Sequence, residues 1–395
     1  MDDLTSTADN AVPRLRLAPQ PAAIGDDVAL IDTPALVVDL DAMDRNIARM
    51  AGEAAALGMR LRPHAKTHKC AAIARAQIEA GAVGIAVQKA TEAEAMVDGG
   101  ICDVLVTNQV LARGKLDRLA ARARRAKIGL CVDAGEGALV ASAAAEAAGA
   151  SFDVMVEIDI GQGRCGVMPG IAAAELAALV DGLPGLRFSG LQAYHGGIQH
   201  LATPAERTAA VALSAAACQR ALDALAAAGL SAETIGGAGT GTFREEGAAG
   251  VWNEVQPGSY VLMDADYGAL DTGAAPPFEH ALYLATQVIS RRDGGHAVLD
   301  AGHKAASIDS GPPVPVAPPG ARATSLNDEH TVLALPAGHE LALGDPVWLI
   351  PGHVDPTVNL HDWLVAVRGL VLQDGQPVAG LVEAVWRVDA RGGHS

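Results

Sequence analysis

At 395 residues the chain exceeds what one small core usually organises, so a large domain joined to a smaller one is expected. A formal charge of -17 with no clustered Lys/Arg block argues against nucleic acid or an anionic membrane as a partner. Half of the residues are hydrophobic but only 3% are aromatic, so the core must be built from Ala, Val, Leu and Ile, a composition suited to helices on buried parallel strands.

The start, Met1-Asp2-Asp3-Leu4, lacks the basic and apolar regions of a signal peptide, and no uncharged apolar run reaches bilayer length. A cytoplasmic location is therefore expected. Cys70, Cys102, Cys131, Cys165 and Cys218 are odd in number and in no CxxC pair, so they read as reduced thiols rather than a disulfide framework or zinc cluster. Residues 1–30, rich in Ala, Pro and Asp, read as a loose arm.

From there short apolar runs alternate with Ala-rich stretches of helical period. The candidate strands are Pro34–Asp39, Arg60–Lys66, Val83–Gln88, Asp103–Asn108, Ile128–Asp133, Phe152–Ile158, Arg187–Tyr194 and Glu233–Gly237. Thr91-Glu92-Ala93-Glu94 and Thr203-Pro204-Ala205-Glu206 look like capping boxes at helix starts, the second with proline at the first helical position. Eight strand-helix units predict an α/β fold, a (β/α)8 barrel over 31–274, with a doubly wound open sheet as the alternative. Beyond about residue 275 the helical rhythm gives way to strand-like segments, Leu282–Ile289, Ala297–Asp300, Val347–Ile350 and Leu381–Val388. These predict a C-terminal β-rich domain over 275–395, with the Pro-rich stretch 311–320 as a surface loop.

Five clusters can carry chemistry. In Arg62-Pro63-His64-Ala65-Lys66-Thr67-His68-Lys69, an extended strand puts Arg62, His64, Lys66 and His68 on one face near a carboxyl end, where cationic neighbours would lower the Lys66 pKa toward a nucleophilic form. A solvated basic patch is the competing reading. Gly236-Gly237-Ala238-Gly239-Thr240-Gly241-Thr242 follows the last barrel strand, where barrels form phosphate sites, although a flexible turn would look the same. Asp159-Ile160-Gly161-Gln162-Gly163-Arg164 presents one arginine in a glycine-lined bend, able to face a ring nitrogen or a carboxylate. Tyr194 and His195, with His200 shortly after, can contact a planar cofactor or simply pack. His353 and Asp355, two apart, can reach one divalent ion, or belong to a Pro/Asn/Asp surface turn.

Together these motifs, with Asp32-Thr33-Pro34-Ala35, Gly258-Ser259-Tyr260 and Met263-Asp264-Ala265-Asp266-Tyr267, resemble the D-threonine aldolases, within the alanine-racemase-fold (fold type III) enzymes that use pyridoxal 5'-phosphate and also include the eukaryotic-type D-serine dehydratases. The resemblance implies that Lys66 is the Schiff-base lysine, that Arg164 faces the pyridine nitrogen, and that His64, Gln88 and Tyr194 frame the ring. It places Gly237, Gly239, Thr240 and Tyr260 near the phosphate. It also implies that His353 and Asp355 bind a divalent metal, that His200 assists proton removal there, and that the protein is a homodimer acting on a small amino acid. The dehydratases of the group resemble His-x-Cys at the metal site. His353-Val354-Asp355 instead supplies oxygen, which suits Mn or Mg better than Zn or Co. Retro-aldol cleavage of D-β-hydroxy-α-amino acids is thus the expected reaction. A D-serine or 3-hydroxyaspartate dehydratase is the nearer alternative, and a non-catalytic pyridoxal phosphate-binding protein the remote one.

Overall fold

The structure, a computed structural model, describes residues 18–292 and 294–395. Residues 1–17 of the expected arm lie outside that range. Residues 18–30 are not loose: Ala18 donates to Asp362, and Gly25 N–H and Asp26 C=O bond to Val382.

The first strand, β1 (Ala35–Asp39), leads into α1 (Leu40–Ala56), capped by the Asp39 carboxylate on the N–H groups of Asp41 and Ala42. Then come β2 (Arg60–Leu61), α2 (Ala71–Glu79), β3 (Ile85–Val87), α3 (Ala90–Asp98), β4 (Asp103–Gln109), α4 (Arg113–Ala123), β5 (Lys127–Val132), α5 (Gly135–Ala148), β6 (Phe152–Glu157), α6 (Ile171–Gly182), β7 (Leu186–Ala193), α7 (Pro204–Ala227), β8 (Thr234–Gly237), α8 (Phe243–Ala249) and β9 (Glu254–Val255). Strands β2 to β9 form one eight-stranded parallel sheet in the order β2-β9-β8-β7-β6-β5-β4-β3. A parallel bridge between His64 and Ala86 joins its two ends, so the sheet curls into a barrel.

The eight-strand expectation holds in number but not in membership. Strand β1 is not in the barrel. Its place is taken by β9, two residues long, which pairs with β2 and β8. The confusion has a physical cause: Leu36, Val37 and Val38 are all fully buried, so β1 shows the continuous apolar run of a barrel strand although it lies between strands of the second sheet. The Thr203 cap forms as expected, with Glu206 N–H on Thr203 Oγ1 and Thr203 N–H on the Glu206 carboxylate. The earlier cap is shifted, because α3 begins at Ala90 and Glu92 instead receives the N–H groups of Gln88 and Lys89. Helix α7 is long and apolar enough by composition to cross a bilayer, but it packs between α6 and α8.

The second sheet follows: α9 (Ala265–Gly268), β10 (Leu282–Arg292), β11 (His296–Leu299), β12 (Val314–Pro315), β13 (Arg322–Leu326), β14 (Thr331–Ala334), β15 (Pro346–Ile350), α10 (Val354–Val358), β16 (Trp363–Gln373) and β17 (Gln376–Arg387). Nine strands run β13-β14-β11-β10-β1-β16-β17, with β15 on β10 and β12 on β15. The Pro-rich stretch contributes only the two-residue strand β12, which is paired with β15 alone, as a residue without an N–H requires. Side chains alternate across this sheet. Leu36, Val38, Leu284, Leu364 and Ala366 join the core shared with the barrel, whereas Val37, Ala285, Trp348, Val365 and Val367 form a separate outer cluster. The sheet is thereby welded to the barrel along one face.

Arg62 lies across the barrel's amino-terminal end, 3.0 Å from Glu254 Oε1 on β9 and 2.6 Å from Asp103 on β4. The Glu254 side chain is 2% exposed, so Arg62→Ala strands a buried carboxylate and should cost about 3–5 kcal/mol, read as a lower urea midpoint at unchanged slope.

Candidate active site

The chain leaves extended geometry at His64, turns through Thr67 and His68, and adopts left-handed backbone at Lys69, so the basic run does not stay on one face. Arg62 points to the amino-terminal mouth of the barrel. His64 and Lys66 point to the opposite, carboxyl-terminal mouth, and Lys69 turns away to pair with Glu92 at 3.1 Å. His68 is fully buried, and burial pushes its pKa down to about 4.

At the carboxyl-terminal mouth a cavity of about 240 Å³ gathers candidate residues from five barrel strand ends and from the turn before α10. It is lined by His64 and Lys66 after β2, Gln88 after β3, Arg164 after β6, Tyr194 and His200 after β7, Gly239 and Thr240 after β8, and His353 before α10. Nine of the candidate residues thus converge from segments up to 289 positions apart. Two are not brought in. A Cβ on Gly237 would collide with the carbonyl oxygen of Ala193, so this glycine serves strand approach. Tyr260 sends its ring into the core against Phe278 and its hydroxyl to Gln77, and only its backbone N–H touches the loop, on Thr240 Oγ1.

Electrostatics centre on Lys66, whose Nζ is ion-paired with Asp355 Oδ2. Burial would depress the lysine, but the Asp355 carboxylate outweighs it and holds Lys66 above the ordinary range. The expectation of a lowered pKa from cationic neighbours is therefore reversed in this structure. His64 does not supply a competing charge, since burial and then Lys66 hold it well below its usual value. Burial acts against Asp355 as well, yet the Lys66 ammonium brings it down to about 2. Asp264 anchors the α10 turn by accepting Val354 N–H at 2.9 Å and Tyr267 N–H at 2.9 Å.

The groups that could hold a cofactor or metal fit in kind. The N–H groups of Gly239 and Thr240 have no partner among the described residues, as a phosphate cradle requires. Arg164 sits 5.6 Å from the Tyr194 ring centroid and 3.8 Å from the buried Glu157 carboxylate. Asp355 Oδ1 is buried with no hydrogen-bond partner, a cost that a cation beside it would remove. His353 lines the cavity two residues away and turns its Nδ1 to Asp309 Oδ2 at 2.6 Å. Sequence reasoning missed Asp309 and Glu157, isolated acids with no spacing signal, and gave no role to Asp266, although it stands in the 263–267 motif. His200 Nδ1 is 3.2 Å from Asp266, and its ring packs on Tyr267 at 4.8 Å between centroids.

Comparison with known proteins agrees with this geometry. The family described as alanine racemase, N-terminal domain, matches residues 38–266, and the putative serine dehydratase domain matches residues 281–367. A D-threonine aldolase of Arthrobacter sp is 42% identical over 375 residues, covering 95% of this chain and 96% of its own. A 3-hydroxy-D-aspartate aldolase of Paracoccus denitrificans is 42% identical over 379 residues, covering 94% and 95%. The crystal structure of a D-threonine aldolase from Filomicrobium marinum superposes with a TM-score of 0.91 at 48% identity, over 95% of this chain and 100% of that one. Barrel, second sheet and cavity lysine together define an enzyme of the alanine-racemase fold. Within that class, the chain belongs to the family of lyases formed by the D-threonine aldolases and their 3-hydroxyaspartate and serine dehydratase relatives.

Glu246, at the start of α8 behind the glycine loop, is fully buried, accepts from Thr242 Oγ1 at 2.6 Å, and is raised by burial from 4.5 to about 8. Between those values the folded chain holds a proton that the unfolded chain has lost, so stability falls as pH rises through this window. Glu246→Gln should flatten the dependence of the thermal midpoint on pH between 5 and 8. A slope equal to that of the parent chain would rule out this assignment.

Proposed function

We propose that the chain cleaves D-threonine and related D-β-hydroxy-α-amino acids between Cα and Cβ, giving glycine and an aldehyde, with pyridoxal 5'-phosphate on Lys66 and a divalent metal, Mn or Mg ahead of Zn or Co, on His353 and Asp355. The observation that carries this reading is the buried, unpartnered Oδ1 of Asp355, in a carboxylate that also holds Lys66 and lies two residues from a cavity-lining histidine.

When bound, the cofactor supplies a sink for the electron pair left on Cα, and the cation supplies Lewis acidity at the β-hydroxyl. Lys66 provides the amine. While Asp355 grips it, Nζ is an ammonium and is not nucleophilic, so a cation that engages the carboxylate would also free the amine. Gln88 and Tyr194 frame the cavity wall, and burial keeps the Tyr194 phenol protonated by raising its pKa. A guanidinium only donates hydrogen bonds, so Arg164 would use a ring nitrogen that it faced as an acceptor. His200, with Asp266 on Nδ1, directs its other ring nitrogen to accept the β-hydroxyl proton. His64 is neutral and bonds through Nε2 to Thr107 at 3.0 Å, which fixes its ring beside Lys66. We further propose a cytoplasmic homodimer.

Dehydration of the same substrates is the second reading, favoured by the match of residues 281–367 to the putative serine dehydratase domain. Incubation with D- and L-threonine, with and without EDTA, followed by assay of glycine, acetaldehyde and 2-oxobutanoate, separates the two. Glycine and acetaldehyde from D-threonine alone, lost with EDTA and restored by Mn²⁺, is the expected result. 2-Oxobutanoate as main product would replace the aldolase reading with the dehydratase one. Lys66→Ala should abolish the visible absorbance of the bound cofactor, whereas Lys69→Ala, which removes only the partner of Glu92, should retain it.

A further inference from the structure

Asp309 lies in the loop between β11 and β12, outside the motifs that mark the site, yet its Oδ2 meets Nδ1 of His353 at 2.6 Å. The contact is built rather than incidental. Ser307 Oγ donates to Asp309 Oδ1 at 2.7 Å, Ser307 N–H donates to Thr357 Oγ1 at 3.1 Å, and Thr357 Oγ1 donates to the His353 carbonyl at 2.7 Å. A Cβ on Gly352 would collide with the Gly311 carbonyl oxygen, so the two segments also press backbone to backbone. Segment 307–311 is thus clasped onto the turn that carries His353 and Asp355.

An ionised carboxylate only accepts hydrogen bonds, so Asp309 selects the tautomer of His353 with the proton on Nδ1. Nε2 is then left with its lone pair, on a ring that lines the cavity. Histidines that bind metals are oriented by such a carboxylate on the other ring nitrogen, which also strengthens the donor atom.

We propose that Asp309 is a positioning residue for the divalent cation: it fixes the tautomer and ring orientation of His353 and thereby sets metal affinity without touching substrate. This rests on the reading of His353 as a metal ligand. Loss of such a carboxylate weakens metal binding roughly 10–100-fold.

The test is calorimetric titration of Mn²⁺ into chelator-stripped, cofactor-loaded protein, comparing the parent chain with Asp309→Ala, Asp309→Asn and His353→Ala. It is paired with ¹⁵N spectra of the histidine rings before metal is added. Asp309→Ala is expected to raise the Mn²⁺ dissociation constant about 10–100-fold and to shift the His353 signals away from the Nδ1-protonated form. Asp309→Asn, whose amide oxygen still accepts from Nδ1–H, is expected to fall between. Cofactor absorbance and unfolding midpoint should be unchanged, because Asp309 is half exposed. Unchanged affinity in Asp309→Ala, with binding lost in His353→Ala, would overturn the role of Asp309 and leave the metal assignment standing. Unchanged affinity in His353→Ala would overturn both. Weakened binding with an unchanged tautomer would also overturn it, since the carboxylate would then act other than through the ring.

Discussion

The site depends on one ion pair, Lys66 with Asp355, made between the barrel and the helix that follows β15. Each group shifts toward its charged form because the other is there, and loss of Lys66 would leave the mostly buried Asp355 carboxylate without its counter-charge. The pair therefore couples protonation of the lysine to the placement of a residue nearly three hundred positions later. It also leaves the second Asp355 carboxylate oxygen buried without a hydrogen-bond partner.

Everything around the pair serves to hold those two side chains at a common wall. On the barrel side, the His64–Ala86 bridge fixes where β2 ends and its chain begins to turn. On the other side, Asp264 takes the N–H of Val354, while Ala265 N–H reaches the carbonyl of Pro351, so the α9 and α10 turns are tied end to end. Helix α1 packs against both β2 and β16 and spans the join between the sheets. The cavity is thus bounded by rigid strand ends on one side and by a cross-laced turn on the other, an arrangement that keeps polar groups in fixed orientation without rigid loops.

Much of this was legible in the sequence, and what was not has identifiable causes. Lys66, Arg164, Tyr194 and His353 stand in local patterns, and local patterns survive without coordinates. Strand β1 was misplaced because a run buried on both faces looks alike in a barrel and in the middle of a mixed sheet. The true closing strand, Glu254–Val255, is too short for any period to register. Tyr260 sits in a motif that marks the loop correctly, but its ring faces Gln77 and Phe278, and side-chain direction is decided by packing. The pKa of Lys66 could not be read from its cationic neighbours because the acid that governs it is distant in sequence.

Strand β1 carries a consequence for how the molecule comes into being. Its neighbours β10 and β16 come late in the chain, so Val37 waits 246 positions for Tyr283 on one side and 328 for Val365 on the other. The barrel strands, whose partners are mostly adjacent in sequence, can assemble in the meantime. During synthesis the apolar run Ala35–Val38 therefore has neither sheet neighbour until β10 has been made, an interval in which it is open to aggregation.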